Sequence, residues 1–249
     1  PCGTLFPYTT LFRSPFISEH VGDVSPSLLR FSLEDDTADA YWDGRYIIIR
    51  DGESRTRVCD TTKMQIIGVH NVQNTMAALL SVMKYLKKKN IAISPDSIAD
   101  ACYTFKGLPH RMEQVARING RLFINDSKAT TVGAVQMALK SIEEKCILIL
   151  GGRTKGDDYS RLIDYMKDRV RTLVLMGESS EEFSKVFNMF DQVMVSSMEE
   201  AVKTAWQCSR EGDVVLLSPG CASFDMFESF EQRGQQFKQA VEELERGNN

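Results

Sequence analysis

Between residues 107 and 135 the chain reads GLPHRMEQVARINGRLFINDSKATTVGAV, and most of its candidate chemistry is gathered there. Asn125, Asp126, Ser127, Lys128, Thr130 and Thr131 form a dense polar cluster directly behind an apolar run at 122–124. A strand that ends in such residues just before a helix is where open α/β sheets place ligand sites. The first amides of the following helix favour an anion, and the Lys128 ammonium stands beside them. A plain strand-to-helix loop with Ser or Thr as N-cap uses the same residue types, so the cluster alone leaves both readings open.

The elements that must position this cluster are legible on both sides. Asn119-Gly120 between the apolar runs at 115–118 and 122–124 predicts a hairpin. Gly133 and the apolar positions Val135, Ala138, Leu139 and Ile142 predict a helix. The run CILIL at 146–150 predicts a buried strand leading into Gly151, Gly152, Arg153, Thr154, Lys155 and Gly156. Neither the dinucleotide spacing G-x-G-x-x-G nor a Walker A loop fits there, which leaves a tight glycine turn presenting Lys155. A solvated loop lysine reads equally well. A helix over 159–167, a strand over 172–176, a helix over 181–187 and a strand over 192–195 follow. An amphipathic helix over 198–208 precedes the strand 213–217, which runs into Ser218, Pro219, Gly220, Cys221, Ala222 and Ser223. A last helix over 224–244 would carry Phe227, Phe230, Phe237 and Val241 on one stripe.

This alternation predicts an α/β fold with a Rossmann-like, mainly parallel sheet. The loops 125–131, 151–155 and 218–223 then share one sheet edge and make a composite site plausible. Lys128 and Lys155 would give it positive charge, suited to a carboxylate and to phosphate.

Upstream, strands are expected at 28–33 and 46–50, with Asp43-Gly44 and Asp51-Gly52 as turns. A helix opens at 68–74, where Asn71 and Asn74 share one face of the first turn. Their amides suit a purine edge, although capping uses the same residues. A second helix is expected from Pro95.

At 249 residues the chain has room for two modest domains. Hydrophobic residues at 43% and charged residues at 26% are ordinary for a globular protein. A net charge of −4 argues against a general nucleic-acid or anionic-membrane partner. No apolar run approaches the roughly 18 residues needed to span a bilayer. The six cysteines are scattered without a C-x-x-C pair, which predicts reduced thiols. Three histidines without ligand spacing argue against structural zinc. The opening PCGTLFPYTTLFRS reads like a translated sequencing adapter, so residues 1–14 are expected to be an artefact and the natural chain to begin near Pro15.

In combination, HNVQN, GLPHRMEQV, INDSKATTVGA, LILGG and LLSPGCASFDMFESFEQRG resemble the Mur ligase family, and within it the branch that adds D-glutamate. The resemblance covers about 66–244. It implies 15–108 as the C-terminal part of a central ATPase domain, incomplete here, and 109–249 as a complete amino-acid-binding domain. It also implies ATP-dependent ligation of D-glutamate to UDP-N-acetylmuramoyl-L-alanine through an acyl phosphate, with Mg2+, in a monomeric enzyme of the bacterial cytoplasm. Asn71, Asn74, Arg111, Asp126 and Lys128 would contact ATP. Thr130, Lys155, Ser223, Phe224 and Phe230 would line the D-glutamate pocket, with Lys128 and Lys155 as the catalytic cations.

Phe224 stands where the family pattern has leucine. The phosphate loop, metal ligands and UDP-binding domain of the family have no counterpart in this sequence, so the chain is expected to hold no metal and not to ligate alone. The alternative is a stand-alone nucleotide- or anion-binding module without catalysis. A folylpolyglutamate-synthase-like ligase shares the architecture but lacks the SPGCASFD…FEQRG signature.

Overall fold

A computed structural model describes residues 29–66 and 68–248. The stretch 1–14, the start expected near Pro15, and Leu28 of the strand expected at 28–33 lie outside the described residues. The chain divides into two units between Lys106 and Gly107.

In the first unit β1 (Phe31–Ser32), β2 (Ala40–Trp42), β3 (Tyr46–Asp51) and β4 (Ser54–Asp60) form one sheet in that order. β1 and β2 run parallel, and the other two pairings are antiparallel hairpins closed by the expected Asp-Gly turns. Helices α1 (Val69–Lys89) and α2 (Pro95–Thr104) pack on this sheet. Val72, Met76, Leu80 and Ile98 bury themselves there against Ile47, Ile49 and Val58. Ser94 caps α2 by accepting the Ser97 amide at 3.1 Å, and Pro95 follows where a missing N–H costs nothing.

The second unit carries β5 (Glu113–Ile118), β6 (Arg121–Asn125), β7 (Cys146–Gly151), β8 (Val170–Met176), β9 (Gln192–Val195) and β10 (Val214–Leu217). Their order in the sheet is β5-β6-β10-β7-β8-β9. Every pairing is parallel except β5–β6, so the sheet is mainly parallel, as the alternation predicts. The β5–β6 hairpin turns at Asn119 and Gly120, whose φ angles of 42° and 77° are the positive values that Asn-Gly accepts at low cost.

Helices α3 (Val132–Lys140), α4 (Ile163–Met166), α5 (Ser180–Val186), α6 (Met198–Cys208) and α7 (Phe230–Asn248) complete the unit. Met198, Val202 and Ala205 of α6 and Phe237 and Val241 of α7 pack on one face, against Phe123, Ile147, Ile149, Val215 and Leu217. The alternate residues Leu148, Leu150 and Leu216 point to the other face and are equally buried. There Val135 and Tyr159 close around Leu150 at Gly220. Because both faces are covered, the central strands read as unbroken apolar runs rather than alternating ones.

Two expectations are corrected. The helix expected over 159–167 is split into a 3-10 turn (Tyr159–Leu162) and the single turn of α4. The Asp158 side chain accepts the Ser160 amide at 3.1 Å, which caps the tighter turn. The last helix starts at Phe230 instead of 224. Ser229 Oγ accepts the Gln232 amide at 3.1 Å, while Gln232 Oε1 accepts the Glu228 amide at 2.7 Å, so this paired cap fixes the start. Phe227 therefore leaves the helical stripe, yet its ring stays buried in the same hydrophobic cluster, and its amide bonds the Ser223 carbonyl at 2.9 Å.

Phe237 is fully buried, so Phe237→Ala should destabilise the second unit by about 3–5 kcal/mol through lost transfer energy and a residual cavity. Urea denaturation followed by Trp206 fluorescence in a Trp42→Phe background reads this unit, since Trp206 stacks on Phe123 at 6.3 Å. Met189→Ala, at a position 59% exposed, should stay within about 0.5 kcal/mol.

Candidate functional site

β10 lies between β6 and β7, with Leu217 level with Asn125 on one side and with Ile149 on the other. The three polar loops therefore leave the sheet at one edge and at one height. Backbone bonds join them there. The Asp126 amide donates to the Leu217 carbonyl at 2.8 Å, the Gly151 amide to the Pro219 carbonyl at 3.0 Å, and the Gly220 amide to the Ala129 carbonyl at 2.8 Å. Arg153 and Ala222 exchange both backbone bonds, at 2.9 and 3.0 Å, as an isolated antiparallel bridge.

Glycine is required where these loops touch. A Cβ on Gly151 would collide with the Met176 carbonyl, and one on Gly152 with the Ala222 carbonyl. Both residues also sit at φ above 130°. The Gly-Gly pair of the sequence thus serves a close backbone approach, which holds Arg153 against the loop of β10, with Thr154 and Lys155 following it in the turn.

In the loop after β6, Asp126 is 6% exposed. Its Oδ1 accepts the Met112 amide at 3.2 Å, and its Oδ2 accepts the Ser218 hydroxyl at 3.0 Å. Burial pushes its carboxyl pKa up to about 7, with the Ser218 hydroxyl, the Met112 amide and the Arg111 charge pulling the other way. The turn before β5 is unusual, because His110 and Met112 both have positive φ, at 62° and 45°. Such angles cost free energy in non-glycine residues and persist only where partners over-determine them. Those partners are present: the His110 amide donates to Glu113 Oε2 at 2.9 Å and the Met112 amide to Asp126. Asp126 thereby helps present the exposed Arg111 side chain.

Thr131 caps α3 by accepting the Ala134 amide at 3.4 Å, so the N-cap reading of the cluster holds for that residue. Thr130 is half-buried just before it. Lys128 is exposed, and its ammonium lies 4.2 Å from the Phe230 ring centroid. Phe230 in turn meets the His110 ring edge-on at 6.2 Å and accepts the Ser127 hydroxyl at its carbonyl at 2.8 Å. A cation held over an aromatic face remains a cation available to an anion on its other side. Ser223 is buried, Phe224 is 65% exposed, and Lys155 is exposed on the glycine turn. The second unit thus brings Arg111, Asp126, Lys128, Thr130, Lys155, Ser223, Phe224 and Phe230 to one edge of its sheet or to the turn and helix start beside it.

Asn71 and Asn74 belong to the first unit. They share the first turn of α1, with Asn74 Nδ2 donating to Asn71 Oδ1 at 3.4 Å. The N-cap of α1 is Gly68, which makes no side-chain cap bond.

Other residues at the edge carry structure that spacing alone left unassigned. Arg153 grips Glu178 through two bonds of 3.0 and 2.8 Å, and the Glu178 amide donates to Asp225 Oδ2 at 3.0 Å. A fourth loop, after β8, thus joins the edge. Gly177 at a strand end was its only sequence signal. Among the described residues no group of three or more His, Cys, Asp or Glu could hold a metal ion.

A family model described as Mur ligase, glutamate ligase domain, matches residues 110–221. The chain is 44% identical over 179 residues to the UDP-N-acetylmuramoylalanine--D-glutamate ligase of Bdellovibrio bacteriovorus, covering 72% of this chain and 37% of that protein. It is 36% identical over 233 residues to the same-named protein of Porphyromonas gingivalis, covering 91% and 50%. The chain therefore spans half or less of the length of these curated relatives. Among solved structures, UDP-N-acetylmuramate-alanine ligase from Thermotoga maritima shares the fold at 14% identity and TM-score 0.60, over 93% of this chain and 50% of that one. A folylpolyglutamate synthase/dihydrofolate synthase from Yersinia pestis, complexed with AMPPNP and a Mn ion, does so at 16% identity and TM-score 0.62, over 90% and 50%.

Because the folded carboxyl of Asp126 sits near 7 against 3.8 for the ordinary group, the native state holds a proton that the unfolded state releases between those values. Its contribution to stability is thus full below about pH 4 and declines as pH rises toward 7. The melting temperature of the wild-type chain should fall from pH 5 to pH 8 relative to Asp126→Asn. An equal pH dependence in the two proteins would show that this proton is not bound.

Proposed function

We propose that the chain belongs to the Mur ligase family and carries the amino-acid side and part of the nucleotide side of a D-glutamate ligase. In this reading ATP phosphorylates the carboxylate of UDP-N-acetylmuramoyl-L-alanine, and the amine of D-glutamate attacks the acyl phosphate to form the amide and release phosphate. The product is a peptidoglycan precursor, made in the bacterial cytoplasm by a monomeric enzyme. The observation that carries the proposal is the meeting of three loops with two exposed lysines at the carboxyl ends of β6, β10 and β7, in a chain whose curated relatives bear that name.

Each residue then has a task set by its chemistry. Lys155, on a turn fixed by Gly151 and Gly152, holds a carboxylate of D-glutamate as a point charge. Thr130 and Ser223 supply hydroxyls, and the Phe224 backbone and the Phe230 ring shape the rest of the pocket. Phe224 in place of leucine alters that rim. Lys128, braced over Phe230, faces phosphate oxygens, where a fixed cation stabilises the charge that moves during phosphoryl and acyl transfer. Arg111 and Asp126 contact the nucleotide, with Asp126 accepting from ribose hydroxyls through its remaining lone pairs. In the first unit, the Asn71 and Asn74 amides have the donors and acceptors that suit a purine edge. Among the described residues no group of three or more His, Cys, Asp or Glu could hold the Mg2+ that would screen the phosphates. The sequence contains no G-x-x-x-x-G-K-[ST] loop, so binding is the appropriate assay for this chain.

Calorimetric titration of the 249-residue chain should give saturable D-glutamate binding, weaker binding of L-glutamate, and independent binding of ADP. Lys155→Met should weaken D-glutamate about tenfold or more, a loss of ~1.4 kcal/mol, and leave ADP unchanged. Nucleotide binding with no response to D-glutamate would instead favour a stand-alone anion or nucleotide module.

A further inference from the structure

Arg233 heads the bulky, fully buried side chains of the described residues, at 1% exposed. It sits in the first turn of α7 and bonds two loops that are distant in sequence. Its Nε donates to Ser127 Oγ at 3.0 Å, and its Nη2 donates to the Ser127 carbonyl at 2.9 Å and the Cys221 carbonyl at 3.1 Å. The Ser127 hydroxyl in turn donates to the Phe230 carbonyl at 2.8 Å. On the guanidinium's other side lies the third loop, since a Cβ on Gly152 would stand 3.3 Å from Nη1. That Nη1 is buried without a hydrogen-bond partner, and so is Oδ1 of Asp225. Burial drives the Arg233 pKa down to about 10, which leaves it a cation at neutral pH.

A buried cation with an unsatisfied nitrogen is a costly way to fill space, and an apolar side chain of similar length packs more cheaply. What arginine adds is a rigid planar fork with donors at fixed spacing, which a lysine or methionine cannot reproduce. We propose that Arg233 is a positioning residue whose guanidinium sets the spacing between the loop 126–131 and the loop 218–224, so that both loosen together when the fork is lost. The inference rests on the ligase reading only in taking these loops as the nucleotide and amino-acid sides of one site.

Arg233→Lys keeps the charge without the fork, and Arg233→Met keeps much of the volume without either. Two readouts need no ligand. Alkylation of Cys221 by iodoacetamide, quantified by peptide mass spectrometry, reports the β10 loop, because this thiol is fully buried. Hydrogen exchange at the Lys128 and Ala129 amides reports the β6 loop, since these donate to the His110 and Asp126 carbonyls. In a folded Arg233→Lys chain, Cys221 alkylation and both exchange rates should rise at least tenfold, with D-glutamate and ADP binding weakened together.

A folded variant in which either loop stays as protected as in the wild type would overturn the proposal. If neither variant folds, native-state exchange on the wild-type chain decides. One opening free energy shared by both loops is expected, and two distinct ones would overturn it. Failure of the wild-type chain to bind D-glutamate would defeat the ligase reading while leaving the loop result standing.

Discussion

The insertion of β10 between β6 and β7 is the constraint on which the candidate site depends. Strand β10 comes last in the chain yet occupies the middle of the sheet, in register with both neighbours at Leu217. Parallel pairing puts three carboxyl ends side by side, and burial of Val215 and Leu217 under α6 and α7 fixes which way each residue points. A one-residue slip would turn these apolar side chains to the wrong face, so the register is strongly specified. The heights of Asp126, Gly152 and Ser218 above the sheet follow from it.

Polar groups at that edge are held by satisfying one another. Asp126 joins Ser218 to the strained turn at Met112, Arg153 and Ala222 share a backbone bridge, and Arg233 binds Ser127 and Cys221. Each such bond contributes only about 1 kcal/mol net, but leaving a buried partner unpaired costs more, so the network resists partial opening. The exposed cations Lys128, Lys155 and Arg111 stand on this rigid base. Such an arrangement suits chemistry whose demand is positioning and charge stabilisation rather than a nucleophile on the protein.

Much of the second unit was legible because its signals are local. Asn119-Gly120 marked the hairpin, and the unbroken apolar runs at 146–150 and 214–217 marked strands covered on both faces. The polar loops at 125–131 and 218–223 marked strand ends. What periodicity could not give was neighbourhood. Nothing local says that β10 pairs with β6 and β7, or that Arg153 would meet Ala222 and Glu178. The start of α7 was misplaced because Phe227 keeps helical spacing while the Ser229–Gln232 cap sets the boundary after it. Arg233 was visible only as one letter of FEQRG, since a buried hub looks like any surface arginine on a helix. At the site, the residue types were readable from the loops, whereas the burial of Asp126 and the bracing of Lys128 over Phe230 required the fold.

Whether one sheet edge forms a D-glutamate site is decided by an amide chemical-shift map of the isotope-labelled chain titrated with D-glutamate. Saturable shifts are expected, concentrated at residues 125–131, 151–156 and 218–224, with smaller changes for L-glutamate. Shifts that fail to saturate, or that cluster on the far side of the unit along α6 and the end of α7, would contradict such a site.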